Sequence, residues 1–382
     1  MKHYDVVCIG AGIMGTMHAY HAGLKGKKVL LIERDYKPYE GTVRNFGQVV
    51  PSGQAIPTWR DIGIESLHIY KSIHEKFDIS IRNNGSTYLA SDETEMTLLE
   101  EMHQVNNESG YESHLLTKEE CKARFPLLND SYCIGGLFYP GEVSAEPNRL
   151  IYRLIEYVTQ SQTVDFINHQ TVVGCEIQHN HCITTLASGV KFQSEKVIIC
   201  SGREFKILFP EVFQNSGLQI SKLQMMLTEP IPNASLPGNI LTGMTIRRYE
   251  GFHSLPSYHK LNYTEQELKL KEKGIHILFK QAIDGSVILG DSHEYADATN
   301  TESLDFGINM SINQIMIKEA QRIMNLPSWE IMNTWNGYYA THPNEIFTHS
   351  IEGRIHIVTG IGGKGMSCSA GFSRRNIDNI LQ

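Results

Sequence analysis

The sequence predicts an α/β fold made of two interleaved units, and three observations carry that prediction. Residues 4–9, YDVVCI, form an apolar run leading into Gly10-Ala-Gly12-Ile-Met-Gly15, and residues 28–32 return to an apolar run that ends at Glu33. A second apolar run, 355–358, leads into Gly360-Ile-Gly362-Gly363-Lys364-Gly365 near the other end of the chain. Between them, 218–227 and 275–289 read as strands of a different sheet. A chain of 382 residues also exceeds what one ordinary core needs.

The first unit reads as strand, glycine-rich turn, helix over 13–25 and second strand. Gly10 makes the tight turn, Gly12 lets the backbone approach a pyrophosphate, and Gly15 lets helix and strand pack closely. The helix start offers N–H groups to the anion, and Glu33 is placed to accept hydrogen bonds from ribose hydroxyls, which disfavours a 2′-phosphate and hence NADP. The loop 35–57 holds Gly41, Gly47 and Gly53, two prolines, and Arg44 and Asn45. Its length suits a functional loop, and a solvated connection is the alternative.

Amphipathic spacing then predicts a helix over 61–77, followed by a strand over 81–90 and an exposed helix over 93–110. TKEEC at 117–121 reads as a helix start capped by its threonine. A strand follows near 137–143, and a helix over 147–161 opens on Pro147. Residues 166–192 alternate as a small meander that ends in the buried strand KVIICSG at 196–202. His179, His181 and Cys182 fall at a hairpin and read as a solvated turn, so no metal is expected. In the second sheet, separated by the polar stretch 250–273, Arg247 and Arg248 stand together, suited to an oxyanion or to one exposed arginine and one structural ion pair. A helix near 309–324 precedes Trp335-Asn-Gly-Tyr338-Tyr339 and Thr341-His342-Pro343. The closing strand, glycine-rich turn and helix place a second helix N-terminus where it can serve the pyrimidine edge of a flavin.

Bulk properties narrow the class. The formal net charge of −8 offers no general attraction to nucleic acid or an anionic membrane, so an anionic substrate needs a local cationic pocket. Seven cysteines without a CxxC pair argue against a disulfide framework. No apolar run reaches the roughly 18 residues of a membrane span, and the early first strand leaves no room for a cleaved leader. A cytoplasmic address is expected.

With GAGIMG at 10–15, Glu33, RNFG at 44–47, KVIICSG at 196–202 and GIGGKGMS at 360–367, the sequence resembles the D-amino-acid oxidase superfamily, which includes glycine and sarcosine oxidases. VRNFGQVVPSGQ at 43–54, TIRRYEGF at 245–252, YYATHP at 338–343 and GKGMSCSAGFS at 363–373 look more narrowly like a bacterial subgroup associated with aminophosphonate breakdown. The resemblance implies a Rossmann-like FAD-binding domain (1–80, 141–217, 327–382) interleaved with an α+β substrate domain on a mixed, largely antiparallel sheet (81–140, 218–326). It implies FAD contacts at Gly10, Gly12, Gly15, Glu33 and Arg34, at Arg44, Asn45, Phe46 and Gly47, at Val172 or Val173, at Gly202, and at Gly362, Gly363, Lys364, Gly365 and Met366.

Two departures matter. The family's arginine after a Trp-x-Gly is replaced by Tyr338 and Tyr339, which moves the search for an anion clamp to Arg247 and Arg248, with Lys280. Residues 335–350 hold no cysteine for a covalent flavin link, so non-covalent FAD is expected. The implied activity is oxidation of the C–N bond of a small anionic amine, 2-aminoethylphosphonate or its N-methyl derivative, through an imine to phosphonoacetaldehyde and amine. Oxygen or another acceptor then takes the electrons. Tyr338, Tyr339 and His342 are the candidates to line the reacting centre, with aromatic core as the other reading of the tyrosines. A glycine or sarcosine oxidase activity and a non-catalytic flavin-binding role are the alternatives.

Overall fold

The structure, a computed structural model, describes Met1–Gln382 in full. Its first sheet has eight strands. Lys2–Ile9 lies at the centre, parallel to Val29–Ile32 on one side and to Lys191–Ile199 on the other, and Val164–Ile167 extends it beyond Val29–Ile32. The C-terminal half of Lys191–Ile199 also takes Ile355–Thr359 in parallel, while its N-terminal half pairs with the hairpin strand His181–Leu186. Val6, Val7, Val29, Leu30, Leu31, Val197 and Ile198 are fully buried, as strands covered on both faces require.

The helices Ile13–Leu24, Thr58–Lys76, Pro147–Thr159 and Gly365–Ile380 cover one face. Phe205, Leu208, Phe213, Leu218 and Ile220 cover the other. The approach of the first helix to the sheet depends on a missing side chain: a Cβ at Gly15 would sit 1.8 Å from the Gly10 carbonyl oxygen.

The second sheet has nine strands and is antiparallel except where Asn239–Leu241 runs parallel to Ser86–Ala90. Met310–Ile323 packs Ile312, Met316, Ala320 and Ile323 into the core on one side of it. The helix Glu93–Ser109 is capped by Asp92, whose side chain accepts from the Glu95 N–H at 2.9 Å, and Lys118–Arg124 opens on the expected Thr117 with Glu120 completing a reciprocal cap. A small third sheet, Gln48–Val49, Val143–Ala145 and Ile81–Arg82, joins the two units.

Several elements differ from expectation, each for a local reason. The run 81–90 breaks into Ile81–Arg82 and Ser86–Ala90 at Gly85, whose φ of 76° puts it in the left-handed region. The run 275–289 is a hairpin of Leu278–Gln281 and Val287–Gly290. The polar stretch 250–273 contains a helix, Glu265–Glu272, fixed by the reciprocal cap of Thr264 and Glu267. Residues 331–341, expected with the cofactor unit, form a strand that hydrogen-bonds Gln219–Thr228 of the second sheet. WNGYY reads as a motif, yet Trp335, Tyr338 and Tyr339 are residues suited to a strand and fit a long antiparallel ladder.

The close approach at Gly15 makes a direct prediction. Gly15→Val forces the first helix off the sheet, and we expect at least ~2 kcal/mol lost stability together with loss of visible flavin absorbance from the purified protein. A variant that melts like the parent and retains its colour would contradict this packing role.

Candidate functional site

A long groove opens at the C-terminal ends of the parallel strands, where open α/β sheets place their ligands. At one end lie Gly10, Gly12, Glu33 and Arg34; Val172 and Gly202 line its side, and Gly362, Gly363, Gly365 and Met366 close the other end. Gly10 has φ 94°, and a Cβ there would meet the Cys200 carbonyl oxygen at 2.4 Å. The helix Ile13–Leu24 starts at Gly12, which has no side chain to cap it, and carries no acid in its first turn; the Ile13 N–H donates to Thr42 Oγ1 at 3.0 Å, and the positive end of the helix still favours an anion. Glu33 is 7% exposed; its two oxygens accept from the Ala11 N–H at 2.8 Å and the Asp35 N–H at 3.0 Å, and each keeps a lone pair for ribose hydroxyls.

Of the two valines named as alternatives, Val172 lines the groove, and Val173, 46% exposed, does not. Gly15 lies beneath the groove, acting through packing.

Near Gly362 the groove meets a second cavity, and the two share Asn45, Tyr339, Ile361, Gly362, Gly363 and Met366. Phe46, Gly47, Gln48 and Lys364 belong to the second cavity. Gln48 Nε2 is buried there without a partner, a free donor where the polar edge of a ring system can end. The acid-free helix start, the glycine floor, the Glu33 carboxylate and this donor fit FAD.

The far wall of the second cavity carries Arg248, Tyr249, His276, Asp291, His293 and Tyr295. Arg248 donates to the Tyr295 hydroxyl at 2.8 Å and has no carboxylate within ion-pair distance. Lys364, the other cation of this cavity, lies 2.9 Å from Glu250 and 4.0 Å from Glu345. Asp291 sits between two imidazoles, with His276 Nε2 2.9 Å from Oδ1 and His293 Nε2 4.0 Å from Oδ2. Burial pushes the Asp291 carboxyl up, but His276, His293 and Arg248 outweigh it and bring it below the usual carboxylate value. Burial lowers both histidines, His293 to about 3, so both are neutral near pH 7.

Four residues expected at the substrate site lie outside the second cavity. Arg247 points into the protein, where Asp92, Glu95 and Glu267 surround a guanidinium side chain that is 2% exposed. Successive helical residues diverge by about 100°, so two neighbours at the end of Gly243–Ile246 cannot form one clamp. Lys280 is fully buried, donates to the Ala145 carbonyl and lies 3.8 Å from Glu146; burial brings its pKa down to about 8, and it reaches neither cavity. His342 is taken up by the Ser216 carbonyl at 2.9 Å and the Asn344 N–H at 3.1 Å. Tyr338 lines the cofactor groove under Arg203, not the second cavity, because adjacent strand residues face opposite ways.

Tyr339 alone of that trio borders both spaces, and its hydroxyl donates to the Arg44 carbonyl at 3.2 Å. The Arg44 side chain braces its own loop, donating to Tyr39 and Asn336 carbonyls at 2.9 and 3.3 Å, and lines neither cavity. Asp291, His276 and His293 escape sequence reasoning because no motif spacing links them; strand ends bring them together.

Arg247→Ala leaves Glu95 buried and uncompensated, and urea unfolding is expected to show a loss of about 3–5 kcal/mol. A loss below about 1 kcal/mol, as for a surface pair, would contradict the structural role.

Comparison with known proteins agrees with this architecture. The sequence profile of the family described as "FAD dependent oxidoreductase" matches residues 5–375. Glycine oxidase from Geobacillus kaustophilus superposes over 100% of this chain and 95% of its own, with a TM-score of 0.79 at 15% identity. L-proline dehydrogenase from P. horikoshii superposes over 99% of this chain and 93% of its own, with a TM-score of 0.81 at 19% identity. The probable oxidoreductase OrdL of Haemophilus influenzae is 24% identical over 264 residues, 64% of this chain and 60% of the relative, so the chain spans less than two thirds of that relative's length. With a matching profile over nearly its whole length and a groove fitted to the cofactor, this chain belongs to the FAD-dependent oxidoreductase family.

Proposed function

We propose that the protein oxidises the C–N bond of a small amine bearing an anionic group to an imine, which water hydrolyses to a carbonyl compound and an amine. The observation that carries this reading is Arg248, a cation without a carboxylate partner on the wall of a cavity that opens onto the cofactor groove. The net charge of the chain is −8, so a half-buried guanidinium without a carboxylate partner on a cavity wall is a specific feature rather than part of a basic surface. The names of the superposed proteins, a glycine oxidase and an L-proline dehydrogenase, support substrates that combine an amine with an anion.

FAD, held without a covalent bond by Gly10, Gly12, Glu33, Val172, Gly202 and Gly362 to Met366, supplies a two-electron acceptor for the hydrogen leaving the carbon beside nitrogen. The chain's own residues do the rest by positioning. Arg248 binds the anion in bidentate fashion. Tyr339, Phe46 and Met366 form the apolar walls where the two spaces meet and hold water away from the reacting carbon. Lys364, balanced by Glu250 and Glu345, leaves Arg248 as the anion's main attraction.

Within this class 2-aminoethylphosphonate and its N-methyl derivative are our proposed substrates, supported by the resemblance of 245–252 and 338–343 to the aminophosphonate subgroup and by the planar fork of Arg248, suited to two phosphonate oxygens. Glycine or sarcosine oxidation, with the carboxylate on the same arginine, is the second reading. Anaerobic mixing with each of the four amines tests both, and we expect the phosphonates to reduce the flavin at the lowest concentrations. Arg248→Met should raise KM by about 10²-fold with a smaller change in kcat, because it removes a charged hydrogen bond. An unchanged kcat/KM in Arg248→Met would remove the clamp, and a flavin that no amine reduces would favour a non-catalytic role.

A further inference from the structure

We infer that the gap between Asp291 and His293 is the subsite for the substrate's amine nitrogen, and that it selects primary and secondary amines over tertiary and quaternary ones. This rests on the reading of the second cavity as the substrate site, and it concerns the end of the substrate opposite the anion.

The backbone fixes the two acceptors. Asp291 and His276 exchange backbone hydrogen bonds, Asp291 N–H to His276 O at 2.9 Å and His276 N–H to Asp291 O at 3.1 Å, at the end of the strand Val287–Gly290. The His293 N–H donates to the Lys273 carbonyl at 3.1 Å. His293 Nδ1 lies 3.1 Å from the Gly274 carbonyl oxygen, which can only accept, so Nδ1 carries the ring proton. In the neutral ring Nε2 is then a bare lone pair. It faces Asp291 Oδ2 at 4.0 Å, too far for a hydrogen bond and with no hydrogen between the two acceptors. Asp291 Oδ1 is also buried and makes no aligned hydrogen bond, although His276 Nε2 approaches to 2.9 Å.

Of these acceptors Asp291 Oδ1 is buried without a donor, which is costly, while Asp291 Oδ2 and His293 Nε2, on side chains 10% and 12% exposed, belong to the lining of the cavity that holds Arg248. A nitrogen about 2.9 Å from each acceptor bridges a gap of this width and needs two N–H hydrogens to satisfy both. A protonated primary amine has three and a protonated secondary amine two. A protonated tertiary amine has one and a quaternary nitrogen none, so each further methyl leaves an acceptor unpaired and adds bulk between two groups only 4.0 Å apart. A divalent cation is the competing occupant of two imidazoles and a carboxylate. The Arg248 charge acts on all three groups and opposes a lone divalent cation among them, whereas a zwitterionic substrate brings with its ammonium the anion that offsets Arg248.

The test is a methylation ladder on the FAD-loaded protein. Glycine, sarcosine, N,N-dimethylglycine and glycine betaine are titrated anaerobically with acetate as the nitrogen-free anion. Affinity is read from the shift of the flavin spectrum, or from saturation of the reduction rate where the ligand reacts. We expect affinity to fall about tenfold or more between sarcosine and N,N-dimethylglycine and again to betaine. Asp291→Asn should flatten the ladder while leaving acetate binding within about threefold of the parent, and Arg248→Met should weaken acetate and every amine alike. His293→Gln gives the same comparison if Asp291→Asn fails to retain FAD. A flat ladder in the parent, or a steep one surviving in both Asp291→Asn and His293→Gln, overturns the assignment. Loss of binding on chelation with recovery on adding Zn²⁺ overturns it in favour of a metal. A parent that shows the ladder by spectral shift but is reduced by no amine keeps the subsite and refutes the oxidation.

Discussion

The site depends on one antiparallel ladder, Ile331–Thr341 against Gln219–Thr228. This strand belongs to the second sheet by hydrogen bonding, yet its C-terminal end reaches the cofactor groove, where Thr341 bridges Ile361. Two of its side chains, Trp335 and Tyr339, donate to the same Arg44 carbonyl at 3.3 and 3.2 Å. A return contact runs from the Arg44 guanidinium to the Asn336 carbonyl. The loop that carries Asn45, Phe46 and Gly47 to the junction of groove and cavity is therefore pinned to the second sheet. Close packing makes the pin exacting, since a Cβ at Gly337 would meet the Arg44 carbonyl at 2.8 Å and one at Gly41 would meet the Tyr339 ring at 3.0 Å.

Charge placement follows from burial. Three carboxylates hold Arg247 inside the protein, and Lys364 is balanced at the cavity edge. Arg248 is left with a tyrosine hydroxyl as its partner, and on the same cavity wall burial lowers His276 and His293. The result is one cation and one carboxylate on the same wall, an arrangement matched to a zwitterion. A divalent cation or a second anion would leave one of the two charges opposed.

The sequence made the cofactor half legible because its constraints are local. Gly10, Gly12 and Glu33 have duties that a single strand, turn and helix define, and elsewhere the cap Thr117 and the first-turn Pro147 mark helix starts in the same local way. The substrate half was less legible because its functional groups meet only through strand pairing. Nothing in the spacing of His276, Asp291 and His293 announces a cluster, and nothing in the adjacency of Arg247 and Arg248 shows that they face apart. His342 and Tyr338 were misread for a related reason: a conspicuous motif suggested a shared role, whereas alternation along one strand and the turn after it sends Tyr338, Tyr339 and His342 to three different places.

The most direct test of the account is a crystal structure of the FAD-loaded protein with an unreactive zwitterion bound, such as a slow-reacting aminophosphonate. We expect the anion on the Arg248 guanidinium, the nitrogen between Asp291 Oδ2 and His293 Nε2, and the intervening carbon toward Tyr339 and the cofactor groove. An anion seated on Lys364, with Arg248 free and the Asp291–His293 gap holding only water, would contradict it.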